Sequence, residues 1–188
     1  MKKMIMMFAV LLYSGYLAAA SPSVDHSDPQ AAFFERISSL CGARFTGQAT
    51  FPEDPGDAFR DQELVAHIEQ CEADEIRIPF HVGEDRSRTW ILSRVEGGLQ
   101  LKHDHRHADG TPDEVTMYGG TTQHSGSDLR QSFPADVHTA MLIPEASTNE
   151  WFLELSEHAT RLTYYLERHG QPRFEAVLHR EPQIEREQ

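Results

Sequence analysis

Three histidines at alternate positions, His103, His105 and His107, continue a pattern begun by Leu99 and Leu101. Alternate side chains of an extended strand share one face, so the leucines mark that face as inward and carry the imidazoles with them. Residues i and i+2 of a strand stand roughly 6 to 7 Å apart at their backbones, a span over which two imidazoles can meet on one ion. His103 and His105 form the best-placed pair, and His107 is the tentative third ligand beside the turn signal that follows. Asp113, Glu114 or His124 could complete a shell if the next strand or loop lay alongside. Zinc or copper is the metal that imidazole ligands suit. The plainer alternative is a polar hairpin end whose histidines are solvated or bonded to Asp104 and Asp109. Nothing else in the chain has the H-E-x-x-H, paired C-x-x-C or carboxylate-rich calcium-loop pattern.

Other residues offer less. His124-Ser125-Gly126-Ser127-Asp128 contains a nucleophile and a base but lacks the G-x-S-x-G elbow, and reads as a loop. The carboxylate pairs Asp74-Glu75 and Asp113-Glu114 fall at turns. Trp90 and Tyr118, with Trp151 and Tyr164, either line a cavity or pack a core. Cys41 and Cys71 are the two cysteines, and without a redox motif around them they read as a structural disulfide in an exported chain.

The elements that must position these groups are strands. Ser27-Asp28-Pro29 is an N-cap followed by a first-turn proline, and Phe33, Phe34, Ile37, Leu40 and Cys41 then recur at helical spacing up to Gly42. From Arg44 the period becomes two. Alternation recurs over residues 44–51, 64–69 and 76–81, where Pro79, lacking a ladder donor, points to an edge or a bulge. Consecutive hairpins are expected from Arg88 to Gly120, including a strand over Val115 to Tyr118. Later strands are expected over residues 129–133, 139–143, 151–155, 161–167 and 173–179. Crossover helices have no room between them, so the sheet should be an antiparallel meander. Closure removes its edges. The expectation is an all-β fold, an up-and-down barrel of about 8–10 strands over residues 44–180, with an N-terminal segment over residues 21–43 whose short helix lies across one end.

The runs Arg88-Thr89-Trp90, Leu101-Lys102-His103-Asp104-His105-Arg106-His107 and Asp109-Gly110-Thr111-Pro112-Asp113, set in this barrel pattern, make the chain resemble uncharacterised bacterial secreted proteins with a lipocalin-like, or calycin-like, barrel. The resemblance implies the fold and carries little about activity. Where true lipocalins have glycine, any residue, then tryptophan on the first strand, this chain has Gly47-Gln48-Ala49.

Composition narrows the partners. Lys2 and Lys3, the apolar run Met4 to Leu12 and Ala18-Ala19-Ala20 form a secretory leader over residues 1–20, so export to the periplasm or beyond is expected, with no membrane span after its removal. The 188 residues carry a formal charge of −13, a sign that disfavours nucleic acid and anionic membranes. Apolar residues make up 39% and charged residues 25%, as in one globular domain; the polar segment 181–188 is expected to be a disordered tail. Three functions remain open. The favoured one is a binding protein holding a small ligand in the barrel against His103, His105, Trp90 and Tyr118. The others are a histidine-bound metal that activates water and an envelope-associated module with a protein partner.

Overall fold

Strand follows strand through tight turns because alternating side chains give each one a face to bury, and the antiparallel partner completes its backbone hydrogen bonds. The computed structural model describes residues 28–52 and 58–182; the expected leader, and the tail beyond residue 182, lie outside the described residues. Helix α1 (Pro29–Ser38) precedes β1 (Arg44–Phe51), β2 (Leu64–His67), β3 (Gln70–Cys71), β4 (Glu75–Val82), β5 (Asp85–Val95), β6 (Gly98–His105), β7 (Tyr118–Thr121) and β8 (Arg130–Pro134). Helix α2 (Val137–Leu142) and a 3-10 turn (Pro144–Ala146) then lead to β9 (Asn149–Leu155), β10 (Arg161–Arg168) and β11 (Gln171–Arg180).

The eleven strands form one sheet in the order β7-β6-β5-β4-β2-β1-β11-β10-β9-β8, with β3 a side pairing on β4. All pairings are antiparallel, and β1 returns to β11 through Phe45 opposite Arg180. The expected all-β meander is therefore present as a nearly closed barrel. Its seam lies between β7 and β8, where a single bridge joins Gly120 to Ala135. The backbones approach so closely there that a Cβ on Gly120 would lie 1.8 Å from the Pro134 carbonyl oxygen. Only glycine fits.

Helix α2 finishes the seam and stands where the sequence pattern predicts a strand over residues 139–143. Asp136 caps this helix by accepting from Thr139 N, and the Thr139 hydroxyl both accepts from Gly119 N and donates to Gly119 O, each at 2.7 Å. A helix side chain thus satisfies the strand edge that the sheet leaves open. The strand expected over Val115 to Tyr118 also moves: β7 begins at Tyr118, and residues 115–117 belong to the preceding loop. Pro79 sits in an interior strand, not at an edge. Arg77, of the same parity, turns its carbonyl to Glu69, so the missing Pro79 N–H faces the interval between the β2 and β3 pairings, where the ladder already lapses.

The barrel has two unlike halves. At one end α1 enters as a plug, with Asp28 accepting from Gln30 N at its N-terminus. Phe33, Phe34 and Ile37 are buried in the core, each contributing roughly 1.5 to 3 kcal/mol by leaving water. Gln30 donates to Thr122 and to the His124 carbonyl, and Arg36 pairs with Asp128. The loop that looked like a nucleophile and base therefore anchors the plug. The Cys41–Cys71 disulfide ties the chain after α1 to β3. The opposite end, where β6 and β10 finish and β5 and β11 begin, carries no such plug among the described residues.

Candidate functional site

At that unplugged end a cavity of about 610 Å³ opens between the strand ends. His103, His105, Trp90 and Tyr118, the four residues expected to meet a ligand, all line it, as do Trp151 and Tyr164. β6 turns His103 inward beside Leu99 and Leu101, and β5 sets Trp90 directly opposite His103. The outer face of β6 is covered as well. Lys102 pairs with Asp136 at the start of α2, and Asp104 pairs with Arg106 while accepting from Thr116. This double cover breaks the simple alternation of burial along β6.

The wall is aromatic and ordered by stacking. Trp90 lies between Phe80, at a centroid distance of 4.3 Å, and Tyr164, at 4.5 Å. The His103 imidazole stacks on Tyr118 at 4.7 Å with planes 10° apart. Offset contacts of this kind add roughly 0.5 to 1.5 kcal/mol beyond area burial.

A directed chain of hydrogen bonds runs through the wall. His103 Nδ1 lies 3.2 Å from the Tyr118 carbonyl, a group that can only accept, so Nδ1 carries the proton and Nε2 is the acceptor. The Tyr164 hydroxyl, 2.8 Å away, donates to that Nε2. Below them the Tyr118 hydroxyl reaches His105 Nε2 at 3.0 Å.

The electrostatics agree with neutral rings. Burial, with the nearby charges on His105 and Lys102, lowers the His103 pKa to about 3 against a pull upward from the Tyr118 carbonyl. Burial and then Arg88 lower that of His105. Burial pushes the Tyr118 hydroxyl up to about 12 and holds Tyr164 well above the ordinary phenol range. The phenols stay protonated and the imidazoles stay acceptors.

His107 does not join this group. β6 ends at His105, and His107 is exposed, its N–H bonding the Thr111 carbonyl in the turn. Asp113 caps its own loop by accepting from Val115 N, Glu114 is exposed, and His124 lies at the plugged end. Among the described residues no group of three or more His, Cys, Asp or Glu is placed to hold a metal ion. Both ring nitrogens of His103 and Nε2 of His105 are engaged by tyrosines. The rings of His103 and His105 bond to tyrosines and to neither Asp104 nor Asp109.

Several lining residues escaped the sequence reading. Arg88, Arg168 and Arg173, with Asn149 and Phe174, reach the cavity from strand ends. The signal for Arg168 and Arg173 was that they flank the His169-Gly170 turn of one hairpin, yet nothing local says which end of a barrel that hairpin occupies. Comparison with known proteins adds no assignment to this geometry: no family model, no curated protein and no solved structure matches the chain.

Proposed function

We propose that the protein is a binding protein that holds one small, partly apolar ligand in the open half of the barrel, against Trp90, His103, His105 and Tyr118. The observation that carries this reading is the polarised interior: one half filled by α1 and aliphatic side chains, the other left as an aromatic cavity of about 610 Å³. That volume is in the range of roughly 300 to 1,000 Å³ common for ligand pockets. Aromatic walls with a few fixed hydrogen-bonding groups favour reversible binding. The imidazole that could act as a base, His103, is neutral and has its acceptor nitrogen occupied, which favours binding over proton transfer. The disulfide supports a place for the protein in an oxidising, exported setting, and kinship with lipocalin-like secreted barrels is part of the same proposal.

Both tryptophans of the chain, Trp90 and Trp151, line the cavity, so intrinsic fluorescence reports its occupancy directly. Titration with the neutral probe N-phenyl-naphthylamine should quench tryptophan emission in a saturable, one-to-one manner with energy transfer to the probe. Linear, non-saturating quenching would overturn the reading.

A further inference from the structure

The cavity wall departs in charge from the rest of the molecule. The chain has 30 Asp and Glu against 17 Lys and Arg, yet the described residues lining the cavity include three arginines and two histidines and no carboxylate. Arg168 donates from Nε to Asn149 Oδ1 at 2.8 Å. This contact orients its guanidinium, and its terminal nitrogens have no hydrogen-bond partner among the described residues. Arg173 is exposed on β11 and makes no ion pair among the described residues. Arg88 is held differently: it pairs with Asp85 and lies over the Phe59 ring, 5.4 Å from its centroid.

We propose that the ligand of this cavity is an organic acid, its apolar body set between the Trp90, Trp151 and Tyr164 walls and its carboxylate held at the mouth by Arg168 and Arg173. The proposal rests on the binding reading above and adds the chemical class. A guanidinium presents paired donors that match a carboxylate, and Arg168 is already oriented by Asn149. The net charge of −13 repels anions at long range, so an anionic ligand needs the local positive charge that Arg168 and Arg173 supply at the cavity. Arg88, opposite His105 on β5, is already paired with Asp85, so Arg168 and Arg173 are the guanidinium groups left to meet an anion.

The test compares a naphthoate with naphthalenemethanol, the same ring carrying an uncharged alcohol, on the full-length protein at pH 7, read by tryptophan quenching and calorimetry. The acid should bind about tenfold tighter than the alcohol, as expected for a charge-assisted hydrogen-bonded contact. Arg168→Met should remove most of that preference and the more exposed Arg173→Met about threefold of it, with affinity for the acid falling much more than affinity for the alcohol. Arg168→Lys, which keeps the charge and loses the fork, should fall between. Unchanged thermal unfolding checks that the variants fold. Equal affinity for acid and alcohol in the wild type, or a preference that survives in the Arg168→Met, Arg173→Met double variant, overturns the proposal while leaving the binding reading intact. Failure of N-phenyl-naphthylamine and both naphthalene probes to bind overturns the two together.

Discussion

At the scale of single residues, the cavity wall is governed by which atoms donate and which accept. The Tyr118 carbonyl fixes the His103 tautomer, and that tautomer gives the Tyr164 hydroxyl its acceptor. Nitrogen NMR of the imidazoles should find His103 protonated on Nδ1 at neutral pH, and a proton on Nε2 instead would contradict the chain. The same burial makes stability depend on acid. The folded pKa of His103 lies near about 3 and the ordinary value is 6.5, so below pH 6.5 the unfolded chain takes up a proton that the folded chain refuses. Stability should fall as pH drops from 6.5 towards 3, by up to about 1.4 kcal/mol per pH unit from this group. His81 and His105, also lowered, act in the same direction. Urea midpoints at pH 7 and pH 5 should show a smaller difference in His103→Leu than in the wild type. Tyr164→Phe leaves the buried His103 Nε2 without a partner and should cost about 1 to 3 kcal/mol, measured by the same denaturation at pH 7.

At the scale of elements, the seam between β7 and β8 is where the barrel depends on particular chemistry. β7 is four residues long, too short to complete a ladder on both sides, so Thr139 of α2 takes over the N–H of Gly119 and shares its C=O with the Asp136 N–H. Thr139→Val keeps the shape and removes both bonds. It should destabilise by about 1 to 3 kcal/mol and accelerate amide hydrogen exchange at Gly119 before exchange in β4 and β5 changes. Gly120→Ala should be worse, because its Cβ would meet the Pro134 carbonyl oxygen at 1.8 Å and the bridge would have to part. A variant at either position that left seam protection unchanged would show that closure is held elsewhere. The six-residue α2 was misread as a strand because Thr139 to Ile143 is a short apolar run, where periodicity cannot separate a strand from a buried helical turn. The informative residue was Asp136, whose capping bond to Thr139 N only matters once a helix begins there.

At the scale of the whole molecule, first and last strands pair, so Phe45 meets Arg180 across most of the chain. Closing that distance costs chain entropy, and the Cys41–Cys71 bond lowers the cost by restricting the unfolded ensemble. For a loop of this length the chain-entropy account gives about 3.5 kcal/mol. The Cys41→Ala, Cys71→Ala double variant should therefore lose about that much stability in urea denaturation while retaining the far-ultraviolet signature of the barrel. A loss below about 1 kcal/mol would mean that the plug is held by α1 packing alone.

Much of this molecule could be read along the chain, and the division has a physical basis. Alternation at period two determined the strands and turned His103 and His105 inward, because a strand imposes its side-chain directions within a few residues. Asp28 and Pro29 set the start of α1 for the same local reason, whereas the helix ends at Ser38, before the expected stop at Gly42. What depends on remote closure was decided only in three dimensions. The plugged and open ends, the engagement of the imidazoles by Tyr164 and Tyr118, the covering of Lys102 and Asp104 on the outer face, and the arrival of Arg88, Arg168 and Arg173 at one mouth all require strands far apart in sequence to meet. Which strand ends become neighbours is set by the register of the closed sheet, a property that no short window of sequence contains.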